Sequence, residues 1–187
     1  MPVDFKHTYH QDVLARFRSI KALGDRALAQ LTGEELFQSL DAEANSVALI
    51  VKHMAGNMRS RWPDFLTSDG EKPGRGRDSE FIIEPGDTAE SLRRRWDEGW
   101  QLLFGAIEPL TPDDLDRSVT IRGEPHQVAE AINRQIAHLA YHAGQIVLLA
   151  KHIRGKDWQT LTIPKGASQA FNAKMAGKAA ARPAGRS

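Results

Sequence analysis

The sequence predicts an all-α protein, a four-helix bundle with a long loop between helices 2 and 3 and a short extended hairpin before helix 4. Three observations carry this. Four long segments repeat apolar residues every three or four positions, the spacing of an amphipathic helix. Residues 67–87, TSDGEKPGRGRDSEFIIEPGD, hold four glycines and two prolines and read as loop. The ten residues SVTIRGEPHQ read as extended, with Gly123 and Pro125 supplying the bend. Helices with one apolar stripe bury it against each other, which makes a bundle the natural architecture.

The first helix spans residues 4–31, where Phe5, Tyr9, Val13, Phe17, Ile20, Leu23, Leu28 and Leu31 share a stripe, and ends near Thr32-Gly33. His7 and His10 in its first turns read as partly exposed surface histidines. An acidic connector with a short helical turn, Glu34 to Leu40, follows. Asn45-Ser46 then offers an N-cap for VALIVKHMAGNMRSRWPDF. The apolar face of this second helix is Val47, Ile50, Val51, Met54, Met58, Trp62 and Phe65. His53 and Asn57 lie along the stripe's edge, one turn apart, and Pro63 kinks or ends the helix.

A loop as long as 67–87 is usually functional or disordered. Arg75 and Arg77 within GRGRD suit an anionic substrate group, although a solvated basic loop is the simpler reading. Asp87 or Thr88 caps the third helix, whose inward face is Leu92, Trp96, Trp100, Leu103, Phe104 and Ile107. Arg93 to Arg95 fall on its solvated side. The fourth helix begins between Pro125 and Val128. Beyond Gly155 the periodicity fails, although Trp158, Leu161 and Ile163 still have apolar bulk to pack. The division is thus 1–163, a bundle domain, and 164–187, a basic tail with little to bury that reads as flexible.

Lys and Arg total 25 against 24 acids, but five of the bases and no acid lie after Asp157, so the body is net acidic. Such a body is a poor platform for nucleic acid. No uninterrupted apolar run is long enough for a membrane span, and MPVDFKHTYHQ lacks the order of a signal peptide. The reading is a soluble, cytoplasmic protein. With no cysteine there is no disulfide and no thiolate ligand or nucleophile, so a bound metal uses nitrogen and oxygen ligands. No GxGxxG or P-loop pattern occurs.

The chemistry concentrates in residues 131–153, AINRQIAHLAYHAGQIVLLAKHI, an apolar helix interrupted on one side by Gln135, His138, His142 and Gln145. Residues i and i+4 differ by about 40° in azimuth and one turn in height, so two rings can point at a single atom. That is metal-ligand spacing. Alone it is a weak motif, because 7 histidines in 187 residues produce such pairs by composition. His53 on the second helix adds a third imidazole where facing helices of a bundle converge.

The His in SVALIVKHMAGNMRSRW together with HLAYHAGQ on the last helix resembles the DinB/YfiT-like superfamily of metal-binding four-helix bundles, in its branch of small bacterial proteins of unknown function. The match covers about residues 5–163 in order, spacing and loop positions. The resemblance implies that His53, His138 and His142 ligate a divalent metal and that the protein is a homodimer. It transfers no reaction, since the superfamily is similar to bacillithiol and mycothiol S-transferases, maleylpyruvate isomerases and a domain of ergothioneine-forming enzymes, and also holds members without known activity.

Three imidazoles leave a metal with open positions, as in a catalytic site. Zinc and nickel come first, and iron and manganese also accept this donor set. Such an ion lowers the pKa of a water or thiol, and a thiol must come from a low-molecular-weight cosubstrate because the chain has none. Asn57, Tyr141 and Gln145 are candidates to orient ligands or hold substrate. Two readings follow: a metal-dependent thiol S-transferase or hydrolase, and a non-catalytic metal-binding or stress-associated dimer.

Overall fold

The computed structural model describes residues 4–180. The protein is mainly helical with one small hairpin: α1 (Phe5–Leu28), α2 (Val47–Arg61), α3 (Ala89–Ile107), β1 (Ser118–Ile121), β2 (Glu124–Gln127), α4 (Val128–Arg154) and α5 (Ser168–Ala180).

Each of the first three helices starts where a side chain takes over an orphan amide. Asp4 accepts from the amides of Lys6 and His7, Ser46 from Leu49, and Thr88 and Ser91 cap α3 reciprocally. α2 ends at Arg61, one residue short of the Trp62-Pro63 pair, because proline has no amide to continue the ladder.

The helices α2 and α3 pack along one seam and α1 and α4 along another, and α2 also meets α4. Trp62, Trp100, Phe17, Met54, Met58, Leu103, Ile107, Ile132, Leu139 and Ile146 fill the space between them. The α2–α3 seam is tight: a Cβ on Gly99 would stand 2.9 Å from Met58 Cε and 3.3 Å from Ala55 Cα. His10 is buried rather than at the surface, 6% exposed, with Nε2 2.8 Å from the Ile107 carbonyl. The reason is register, since residues 10, 13, 14 and 17 share the inward face of α1.

The hairpin pairs Ser118 with Gln127 through Ile121 with Glu124. Its bend is Arg122-Gly123, both at positive φ (56° and 77°), the two-residue turn that matches strand twist. Pro125 sits inside β2 opposite Thr120 rather than in the bend, a position open to proline only in an edge strand.

α4 is not enclosed on all sides as its apolar sequence suggests: Tyr141 and Leu148 are each 64% exposed. Among the described residues no helix is long and apolar enough to cross a membrane. Residues 168–180 are helical, a departure from the featureless tail expected over 164–187. The segment SQAFNAKMAGKAA is rich in Ala and Lys, strong helix formers. Every side chain from Ser168 to Lys178 is exposed, so local propensity rather than packing accounts for the helix. Residues 181–187 of the expected tail lie outside the described residues.

Candidate metal centre

α2 and α4 face each other with His53 on one and His138 and His142 on the other, and one nitrogen from each ring lies within 4.8 Å of the others. The ring centroids are 4.7 to 5.3 Å apart and the planes cross at 70° to 85°, so the rings meet edge to face instead of stacking. His53 Nε2 and His138 Nε2 stand 3.2 Å apart. Two nitrogens bound tetrahedrally to one ion at about 2.0–2.1 Å are separated by about 3.3 Å, so this spacing suits shared ligation.

Partners on the far side of two rings fix which nitrogen faces inward. His53 Nδ1 donates to Glu80 Oε2 at 2.8 Å, and His142 Nδ1 donates to Gln145 Oε1 at 2.7 Å. That leaves Nε2 of each ring for the centre. Burial holds His138 down to about 3, helped by the neighbouring His142, His53, Arg61 and Arg75, and burial pushes His142 down as well. Both are therefore neutral near pH 7, the form that ligates a metal. The donor set is three imidazoles with no thiolate, which suits zinc or nickel and also iron or manganese.

Glu80 comes from the 67–87 loop, which is fastened to α2 along its length. At its start, the Gly70 carbonyl accepts from Arg61 Nε (3.2 Å) and the Gly70 amide donates to the Thr120 carbonyl (2.8 Å). At its end, Lys52 Nζ reaches the Ile82 carbonyl (2.8 Å) and the buried Asp87 carboxylate (2.7 Å), to which Arg95 also bonds. In the middle, Arg75 donates to both Glu80 oxygens, at 2.8 and 2.9 Å. Burial alone would raise the Glu80 carboxyl, but His53 and Arg75 outweigh it and hold it below the usual range. A solvated basic loop is thus the wrong description for Arg75, whose side chain is buried in this pair.

The carboxylate reaches His53 only because α2 has no side chain at residue 56. A Cβ on Gly56 would lie 2.7 Å from Glu80 Cδ and closer still to Oε1. A glycine inside a helix costs about 1 kcal/mol relative to alanine, so this one marks a close approach. Gly56 and the acid in the loop were the available sequence signals for Glu80; the 24-residue separation hid the connection.

The remaining expected residues divide. Asn57 is buried and accepts from Gln135 Nε2 (3.0 Å), tying α2 to α4 beside the triad. Gln145 bonds His142 as described. Tyr141 is exposed and meets His142 only through ring contact, with centroids 4.9 Å apart. His7 is exposed and, with His10, stands apart from the three-histidine group. The ring of Phe81 lies against His53 at 4.8 Å and forms an apolar wall.

A family model described as "Protein of unknown function (DUF1572)" matches residues 4–167. The chain belongs to the DUF1572 family. The DUF1572 region holds all three histidines, Glu80 and the hairpin, and stops at the residue before α5. A search of curated proteins found no match.

Proposed function

We propose that this DUF1572 chain is a metal-dependent enzyme with a four-helix bundle of the DinB/YfiT-like kind over residues 1–163, a transferase or hydrolase built on His53, His138 and His142. The observation that supports it most is the convergence of three imidazoles on one point with two of them oriented from behind by Glu80 and Gln145. A buried cluster of imidazoles is costly without something to bind. A bound divalent ion, zinc or nickel first, supplies Lewis acidity and makes a water or a small thiol nucleophilic near neutral pH.

The chain's own residues do the rest. Glu80, clamped by Arg75, holds the His53 ring in orientation and raises its basicity as a ligand. Phe81 shields that ring from water on one side. Asn57 and Gln135 bridge the floor of the cleft and keep α2 and α4 in register. The resemblance also supports a homodimer, which light scattering would report as twice 20.8 kDa.

Metal analysis of protein purified without a His-tag or nickel column tests the site, and turnover of a panel of electrophiles and esters, with and without a low-molecular-weight thiol, tests the activity. One equivalent of metal and metal-dependent turnover are expected. Bound metal with no turnover across the panel would favour the non-catalytic dimer, and absence of metal would end both readings.

A further inference from the structure

A cavity of about 310 Å³ opens directly beside the triad, lined by His53, Asn57, Gln135 and His138 and by five arginines: Arg61, Arg75, Arg77, Arg122 and Arg134. No acidic residue lines it. The volume is at the small end of pockets for organic ligands.

Only two of the five arginines, Arg75 and Arg122, pair with carboxylates of the protein. Of the nearby carboxylates, Glu80 is taken by Arg75 and His53, and Glu71 by Arg75 and more loosely by Arg122. Among the described residues Arg61, Arg77 and Arg134 form no ion pair. Arg61 is only 6% exposed, and its one hydrogen bond there is from Nε to the Gly70 carbonyl, which leaves the fork of its guanidinium for the cavity. Burial first, and then the charges of Arg134, Arg75 and Arg122, hold Arg61 below its ordinary value against the opposing charge of Glu71.

Each arginine is placed by something else. Arg61 is two turns beyond His53 on α2, and Arg134 is one turn before His138 on α4. Arg122 is presented by the hairpin turn, whose two amides bond Asp69 at 2.8 Å each. Arg77 lies over the Phe81 ring, which itself lies against His53. Three separate segments thus deliver the unpaired Arg61, Arg77 and Arg134 to the cleft, and the hairpin adds the loosely paired Arg122, in a chain whose body is net acidic. Gathering like charges in a partly buried cavity is unfavourable unless an anion joins them.

We infer that the arginine-lined cavity beside His53 and His138 binds a small anionic substrate through its carboxylate or phosphate, leaving the reacting end at the triad. Planar guanidinium forks match both groups bidentately. The inference rests on the three-histidine centre for what happens to the substrate, but not for binding of the anion.

Calorimetric titration of malonate and of inorganic phosphate into the full-length protein at low ionic strength, metal-loaded and after chelation, tests it. One saturable site per chain is expected in the chelated protein for at least one probe, weakened by chloride. Binding of phosphate alone assigns a phosphoryl group, and binding of malonate assigns carboxylates. Arg77→Gln and Arg134→Gln, both at exposed positions without ion pairs, should each weaken binding about tenfold or more while leaving circular dichroism and metal content intact. No saturable binding in the wild type, or binding as tight as wild type in both variants, would overturn the inference. Metal content on the same samples separates the two ideas: anion binding without metal sinks the enzyme reading alone, and metal without anion binding sinks this one alone.

Discussion

Glu80 Oε2 lies 2.8 Å from His53 Nδ1 across the gap between a loop and a helix, and Arg75 grips the same carboxylate from the other side. The loop therefore serves as the outer support of the candidate metal centre. Replacing Glu80 with Gln keeps the volume and removes the charge, and should lower metal affinity by about 10- to 100-fold, the usual cost of losing such a support. Competition with a fluorescent zinc chelator measures it; unchanged affinity would show that the carboxylate only pins the loop.

Gly56→Ala is a separate probe of the same contact. The added methyl displaces the Glu80 carboxylate from His53, so affinity should fall as in the Glu80 variant although no ligand or charge has changed. Its effect should also be largely absent when Glu80 is already Ala, because neighbouring substitutions that act through one contact are not additive. Additive losses in the double-mutant cycle would refute that linkage.

His138→Ala and His142→Ala should each abolish stoichiometric metal binding. Since metal binds the folded state, chelation should lower the wild-type melting temperature, with about 2.7 kcal/mol of stabilisation at a hundredfold excess over Kd. Chelator should have no effect on either variant. Full metal content in both would remove these residues from the site.

Asp87 is buried between Lys52 and Arg95 and closes the end of the loop. Burial alone would raise its carboxyl, but the hydrogen bond from Lys52, the Glu84 amide and the two cations hold it below 3.8. A carboxylate whose folded pKa is depressed contributes stability that is present above its unfolded pKa and disappears as pH falls through the folded value. Thermal melts should therefore show a loss below about pH 4 that is smaller in Asp87→Asn. The same variant at pH 7 should also be destabilised, because the buried Lys52 loses its shortest ion pair and keeps only Glu84 at 3.3 Å and the Ile82 carbonyl. Parallel acid profiles for the two proteins would count against Asp87 as the source.

Deleting residues 168–187 should remove only the helical signal of α5 itself and leave the remaining fold, metal content and oligomeric state unchanged, since Ser168 to Lys178 bury nothing. Sedimentation and metal analysis of the shortened chain would expose a structural role if either value fell.

Local pattern was enough to read the helices, because burying a stripe imposes a 3.6-residue period and caps require particular side chains. Ser46, Thr88 and the Trp62-Pro63 stop were legible for that reason. The i,i+4 pair His138 and His142 was legible too, as was the edge position of His53, because helix geometry alone puts such residues on one face. The burial of His10 depended on which face α1 turns inward, and its partner is 97 residues away, so no local signal marked it. The helix at 168–180 has no apolar stripe to mark it, and only the local preference of Ala and Lys for helix accounts for it.

The sequence by itself determined the four long helices, the hairpin and the i,i+4 pair His138 and His142, all of which follow from interactions within a few residues. Only the tertiary structure decided that a glycine-rich loop would lie along α2, bring Glu80 and Arg75 to His53, and meet a hairpin turn carrying Arg122. The contacts of Glu80 with His53 and of Asp69 with the hairpin turn join residues 27 to 54 positions apart through charge and hydrogen bonds, which have no sequence period. Periodicity reports what is buried along one element, whereas charge complementarity between elements becomes visible only once the chain has brought them together.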